Sequence, residues 1–166
     1  MIFAAKWVRR SALSASCLLL AVIVAAPLVA SGGFQCAAVL YAIFSPHCHQ
    51  ISDRCFHLDG HPLAVCARCL GVYLGFFLGA LLQPLTPWSR SRALPSLALL
   101  AVFSLPIAVD VAGNLFQFWT SPLGLRLAAG GIWGIVLPWF FIPGAAQAVV
   151  MLKTKKLASP VRKNLE

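Results

Sequence analysis

Charged residues are scarce in this chain of 166 residues. They make up 10% of it, against about 25% in ordinary soluble domains, and only 4 acidic residues stand against 13 lysines and arginines. This shortage excludes a disordered polyelectrolyte and a charge-rich coiled coil. No repeat of about 20–50 residues is visible that would indicate a solenoid. Apolar residues instead make up 60% of the chain and the mean hydropathy is +0.87, so we expect an integral membrane protein.

Four apolar stretches are long enough to cross a bilayer, for which about 20 residues are needed. They cover residues 12–30, 64–82, 93–111 and 127–152. A fifth apolar run, residues 34–44, is shorter and predicts a helix lying at the membrane interface. The sequence therefore predicts an all-α, polytopic membrane protein that forms a single membrane domain over residues 1–166.

Basic residues cluster before the first span, between the second and third spans, and after the fourth. They are Lys6, Arg9, Arg10, Arg90, Arg92, Lys153, Lys155, Lys156, Arg162 and Lys163. Because cytoplasmic loops retain such charges, we expect both termini, and with them a basic tail at 153–166, in the cytoplasm of a cell (inner) membrane. The net charge of +9 then indicates topology, and no nucleic-acid partner is expected. We expect the first span to be retained, since residues 26–31 make a poor signal-peptide cleavage site.

Residues 45–69 concentrate the chemically reactive side chains. All four histidines and four of the six cysteines lie there: His47, His49, His57, His61, Cys48, Cys55, Cys66 and Cys69. In the predicted topology this loop is extracytoplasmic and ends at the start of the second span, and Gly60 within it predicts a turn. We expect the loop to be the functional centre.

Metal binding is the interpretation that we favour for the loop. Two cysteines separated by two residues, here Cys66 and Cys69, can share one ion, and Cys48 with His49 or Cys55 would supply a second pair. Cysteine and histidine together indicate zinc. The histidines favour a metal because disulfide exchange needs none of them.

Two other interpretations remain open. Cys66 and Cys69 at a helix start beside Arg68 also fit a membrane thiol–disulfide oxidoreductase, with Cys48 and Cys55 as a second pair and quinone as the electron acceptor. The simpler alternative is one or two structural disulfides.

Polar residues at the ends of the later spans are predicted to lie beside the loop. Asp110 ends the third span and Arg126 opens the fourth, so an ion pair between them is expected. A functional alternative gives Asp110 and Arg126 catalytic roles, with Asp110 orienting or deprotonating water, and lets Arg54, Arg68, Arg126 and Asn114 bind an anionic substrate.

Glycines recur every fourth residue on the second span, at Gly71, Gly75 and Gly79, and on the fourth, at Gly130 and Gly134. This spacing lets another helix approach closely. We expect packing seams, or faces on which larger membrane proteins dock if the chain is an accessory subunit.

The sequence resembles an uncharacterised family of small prokaryotic membrane proteins known as domain of unknown function 2085. The resemblance rests on Cys48-His49-Gln50, on Arg54, Phe56, Gly60 and Pro62, and on the run from Cys66 to Gly75. Pro106, Asp110, and Leu125 to Leu127 with Gly130 and Gly134 fit as well, so that the resemblance covers about residues 30–135. The family usually has serine at the position of Cys55.

What the resemblance implies is a common set of metal ligands: Cys48, His49, Cys66 and Cys69. His47 or His61 would replace His49 if adjacent ligands are unfavourable, and Gln50 and Tyr73 are expected to support the ligands. We therefore predict a zinc-binding membrane protein, with a metal-dependent enzyme for a lipid-borne or amphiphilic anionic substrate as its extension. Whether it is an enzyme stays open, because four protein ligands leave no position for water.

Overall fold

The computed structural model of the protein describes residues 2–86 and 95–163. In this part of the chain the α-helices are α1 (Ile2–Ser31), α2 (Ala37–Phe44), α3 (Ala67–Leu82), α4 (Leu97–Leu115) and α5 (Leu123–Lys163). Short 3₁₀ turns cover Ser52–Arg54 and Gln83–Leu85, and two strands, β1 (His57–Leu58) and β2 (His61–Pro62), form a small antiparallel hairpin.

Four of these helices are long and apolar enough to span a membrane, as predicted. The candidate spans are Phe3–Ser31, Ala67–Leu85, Leu97–Leu115 and Leu123–Thr154. The all-α polytopic architecture is therefore confirmed, and α2 lies within the run predicted to form a short helix. The second span begins later than predicted because Cys66, directly before α3, has an extended backbone. Arg90, Arg92, the predicted start of the third span at 93 and the last residues of the basic tail lie outside the described residues.

The long helices alternate in direction, so that the segments around residues 45–66 and 116–122 meet at one end of the bundle. We call this the loop end. It is defined by a cleft whose lining includes Arg54 from the first segment and Gln117 and Ser121 from the second. At the far end, Trp7 of α1 and Lys153 of α5 line a common groove. The loop and the ends of the later spans therefore lie together, as the sequence predicts.

Helices α3 and α5 pack backbone to backbone along their glycines. A Cβ atom added at Gly71 would lie 2.8 Å from the amide nitrogen of Gly131, and one at Gly75 would lie 2.9 Å from that of Ile135. From the other side, a Cβ at Gly134 would lie 3.0 Å from the amide nitrogen of Phe76. The two glycine rows thus form a packing seam with each other. The expectation that these faces dock another membrane protein is corrected, because the chain itself covers them.

An apolar cluster attaches the loop to the bundle. Ile23 and Ala26 of α1 and Phe44 of α2 are buried together with Cys48 and Val65. Burial of a large apolar side chain such as Ile23, Phe44 or Val65 contributes roughly 1.5–3 kcal/mol. The cysteine loop is therefore packed against α1 instead of extending into solvent.

Candidate metal centre

The loop turns back on itself at a tight hairpin. Asp59 and Gly60 link β1 to β2, and both have positive φ angles, 50° and 78°. Aspartate and glycine are among the few residues that adopt this backbone in a two-residue turn. The turn predicted at Gly60 is thus confirmed, while the hairpin was missed although Asp-Gly is a known signal for one. The hairpin returns the chain to the bundle just before Cys66.

Gln50 holds the two halves of the loop together. Its Nε2 donates hydrogen bonds to the backbone oxygens of Tyr41, at 2.7 Å, and Ala64, at 2.8 Å. The hydroxyl of Tyr41 in turn donates to the backbone oxygen of Pro62 at 2.6 Å. These bonds join α2 to the segment that leads into α3, and so position Cys48 opposite Cys66. Gln50 was expected to support the ligands, and in the structure it bonds to these two backbone oxygens; its support of a metal ligand stays a prediction. The part of Tyr41 was not foreseen.

The sulfur atoms of Cys48, Cys66 and Cys69 all lie within 4.8 Å of one another. Cys48 is buried, and the other two are partly exposed. Sulfurs bound to one zinc ion at about 2.3 Å lie about 3.8 Å apart in a tetrahedron, so small shifts would bring the three onto an ion. The backbone N–H of Cys66 also donates to the Sγ of Cys48 at 3.2 Å. This donor set fits three corners of a tetrahedral metal site.

Hydrogen bonds from the thiols of Cys48 and Cys69 lower the pKa of the Cys66 thiol. One thiolate is thereby stabilised in the cluster. Further thiolates would repel it in this partly desolvated place unless a cation balanced their charge.

The histidines lie away from the three sulfurs. His47 and His49 are exposed, His61 is partly buried, and within the described residues none of them joins the cysteine group. Of the ligand set implied by the family resemblance, the structure thus brings together Cys48, Cys66 and Cys69 but not His49. His49 follows Cys48 directly in the chain, yet its side chain is exposed while that of Cys48 is buried.

Cys55 is buried but lies outside the group. Its Sγ donates a hydrogen bond to the backbone oxygen of Ile51 at 3.2 Å, and burial raises the pKa of its thiol to about 11. Both effects favour a protonated Cys55 thiol that is bonded to Ile51 and not to the cysteine group.

Tyr73, one helical turn after Cys69, packs its ring edge to face against Phe44, with 6.0 Å between the ring centroids. It therefore supports the apolar wall behind Cys48.

Arg68, between the two cysteines of α3, forms an ion pair with Asp110 of α4. Its Nε donates to Oδ2 of Asp110 at 2.8 Å, and its Nη2 donates to the same oxygen. The other carboxylate oxygen accepts hydrogen bonds from Ser121 and from Asn114, the latter at 3.1 Å. Asp110, which is 4% exposed, therefore joins α3, α4 and the turn at 116–122.

The expected ion pair between Asp110 and Arg126 is wrong. The Nε of Arg126 donates to the backbone oxygen of Ser121 at 2.9 Å, and its Nη2 donates to Oδ1 of Asn114. Arg68, in the first turn of α3, takes the carboxylate instead. Ser121, which bonds to Asp110 and Asn114, was not singled out in the sequence, since a serine in a polar turn carries no specific signal.

A polar cleft of about 540 Å³ opens at the loop end. Arg54, Asn114 and Arg126, three of the predicted substrate-binding residues, line it, while Arg68 is paired with Asp110. Trp119 forms part of its wall. The structure thus gathers most of the predicted anion-binding residues around one opening.

These features define a polytopic helical membrane protein with three clustered cysteines at one end of its bundle. The chain belongs to the family described as predicted membrane protein (DUF2085), whose sequence profile matches residues 48–140. The matched segment begins at Cys48 and contains Cys66, Cys69, Asp110 and Arg126. The family resemblance is therefore confirmed.

Two relatives come from archaea. The uncharacterized protein MJ1492 of Methanocaldococcus jannaschii is 35% identical over 104 residues, which are 63% of this chain and 67% of the relative. An uncharacterized protein of Methanothermobacter thermautotrophicus is 38% identical over 83 residues, which are 50% of this chain and 73% of the relative. No solved structure matches the chain.

Proposed function

We propose that this membrane protein binds one zinc ion through the thiolates of Cys48, Cys66 and Cys69. The observation that carries the proposal is the mutual approach of their sulfur atoms to within 4.8 Å. Soft thiolate ligands select zinc over the hard cations magnesium and calcium. The ion would also balance the negative charge that three thiolates bring to a partly buried place.

Three protein ligands leave the fourth corner of a tetrahedron for water or a small ligand, as in catalytic zinc sites. The polar cleft lies at the same end of the bundle as the three cysteines and carries Arg54 and Arg126. This arrangement supports the extension to a metal-dependent enzyme with an amphiphilic anionic substrate. The contacts of Asp110 with Arg68, Ser121 and Asn114 favour a positioning role for this carboxylate. Its role as a base stays a prediction.

The second candidate function is thiol–disulfide exchange. Its support is the lowered pKa of Cys66 together with two further thiols within 4.8 Å. In that case two thiols would lose two protons and two electrons as they form one disulfide, and a membrane quinone would accept the electrons. Metal and disulfide use the same sulfurs, so one measurement distinguishes them.

We place the loop end outside the cytoplasm of a cell (inner) membrane. This orientation is supported by Lys6, Arg9 and Arg10, which lie in the first turns of α1, and by Lys153 of α5 at the same far end. Basic residues of this kind mark the cytoplasmic side.

The test is metal analysis of the purified full-length protein, combined with thiol titration after denaturation. We expect one zinc ion per chain and six reactive thiols, which is the number of cysteines in the chain. Cys66→Ser should lose the zinc, whereas Cys17→Ser, which removes an exposed thiol on α1, should keep it. Metal-free protein with two thiols that appear only after reduction would overturn the zinc proposal and support the redox function.

A further inference from the structure

Arg126 is a buried cation that, within the described residues, forms no ion pair. Its side chain is 6% exposed, and its hydrogen bonds go to two uncharged oxygens, the backbone oxygen of Ser121 and Oδ1 of Asn114. Within residues 2–86 and 95–163 there is one ion pair, and it joins Arg68 to Asp110. Burying a charge without a partner of opposite sign is costly. A ligand that carries negative charge would remove this cost.

The surroundings of Arg126 add positive charge. Arg54 lines the same cleft, and Arg54 and Arg68 repel the charge of Arg126, while Asp110 and Cys66 attract it. The acidic groups nearby are Asp110, which is bonded to Arg68, and the exposed Asp53 at the cleft wall. Among the described residues, the two guanidinium groups of the cleft have no hydrogen bond to a carboxylate, and the one carboxylate in its wall, Asp53, is solvated. This arrangement favours an anion.

An apolar groove adjoins this cleft. It encloses about 530 Å³ between α4 and α5, and its walls are mostly aliphatic. Val102, Leu105 and Val109 face it from α4, and Ile132 faces it from α5. Trp119 lines both the groove and the polar cleft, so the two openings meet at its ring. The groove runs along two of the candidate spans, so in a bilayer it would face the hydrocarbon.

We propose that the cleft and the groove together bind one phosphate-bearing anionic lipid, with its headgroup between Arg54 and Arg126 and an acyl chain along α4 and α5. A neutral lipid would leave Arg126 without a directly bonded anion, and a soluble anion would make no use of the groove. Arginine suits phosphate because its planar fork donates two parallel hydrogen bonds. Such a lipid would be the amphiphilic anionic substrate of the proposed function. Its binding, however, depends on the cleft and not on zinc.

The test uses the full-length protein in a neutral detergent and counts bound lipids by native mass spectrometry. The probes are short-chain phosphatidic acid, phosphatidylcholine of the same chain length, and glycerol 3-phosphate as the headgroup without its tail. We expect one phosphatidic acid to bind per chain at concentrations where the other two probes do not. Equal binding of phosphatidylcholine, or equal binding of glycerol 3-phosphate, would overturn the proposal.

Matched variants locate the site. Arg54→Gln removes an exposed charge at the cleft and should weaken binding of phosphatidic acid by roughly tenfold, the effect of one lost charged hydrogen bond. Arg10→Gln makes the same change on an exposed residue of α1 at the far end and should have no effect. Ala128→Phe, which fills the apolar groove, should also weaken binding, whereas Ala21→Phe on the exposed face of α1 should not.

Equal binding by Arg54→Gln and Arg10→Gln would contradict the headgroup position, and equal binding by the two phenylalanine variants would contradict the tail position. Zinc content is measured in the same samples. If the unmodified protein holds zinc but does not bind phosphatidic acid, the result counts against this lipid site alone. Zinc-free protein that still binds the lipid counts against the metal proposal alone.

Discussion

Arg68 donates two hydrogen bonds to one carboxylate oxygen of Asp110, a residue 42 positions further along the chain. Because Arg68 lies between Cys66 and Cys69, this ion pair connects the first turn of α3 directly to α4. Ser121 and Asn114 hold the other carboxylate oxygen. The same ion pair therefore stabilises both the cysteine cluster and the polar cleft. A change at Asp110 should disturb the structure of both.

Asp110→Asn should destabilise the protein by about 2–4 kcal/mol, because it leaves the partly buried guanidinium of Arg68 without its counter-charge. We expect a lower apparent melting temperature in detergent and weaker retention of zinc during dialysis against a chelator. Asp59→Asn is the matched control, since asparagine also adopts the positive φ of that hairpin turn. Equal melting temperatures for the two variants would show that the ion pair contributes nothing measurable.

The sequence predicted the spans well because their length and apolar character are local properties of the chain. The approach of Cys66 to Cys69 is also local, since both stand at the start of one helix. The partner of Asp110 is not local. Arg126 is nearer in the chain and was expected to bind it, but the packing of α3 against α5 brings Arg68 to the carboxylate instead. Which arginine pairs with Asp110 depends on how three helices are rotated about their axes.

The exposure of His49 is a second feature that could not be predicted from the sequence. A histidine next to a cysteine fits a ligand pattern, but whether its side chain points inward depends on the local backbone. Gln50, the next residue, has a positive φ of 52° and ties α2 to the segment before α3. No propensity argument predicts that a glutamine adopts this backbone, and so the exposure of His49 could not be predicted.

The exposed position of His49 leads to a test of the ligand set. His49→Ala and Cys55→Ser should both keep zinc, because neither side chain belongs to the group of three sulfurs. Cys48→Ser should lose it, because a neutral hydroxyl replaces one of three thiolates. Zinc content per chain after gel filtration is the measurement. Loss of zinc in His49→Ala, at an unchanged elution volume, would restore the histidine as the fourth ligand.

The glycine seam makes a prediction about stability. Gly75→Ala should destabilise the protein by about 1–3 kcal/mol, because its new methyl group would meet the backbone of α5, where the amide nitrogen of Ile135 lies 2.9 Å away. Gly144→Ala is the control: nothing lies within 4 Å of the added atom, and alanine is the better helix former by about 1 kcal/mol. Apparent melting temperatures should therefore change in opposite directions. A rise in both would mean that α3 and α5 separate more easily than their packing indicates.

The orientation of the bundle is tested by labelling cysteines in intact cells with a membrane-impermeant maleimide. Cys36 is exposed between α1 and α2 at the loop end, so it should react in spheroplasts, and Cys36→Ser should lose most of the label. Lys153→Cys, introduced into the Cys36→Ser chain, should react only after the membrane is opened, because basic residues at that end are expected to remain in the cytoplasm. The reverse pattern would place the cysteine cluster in the cytoplasm. A reducing compartment would then argue against the disulfide function and leave zinc binding as the function that the three thiols support.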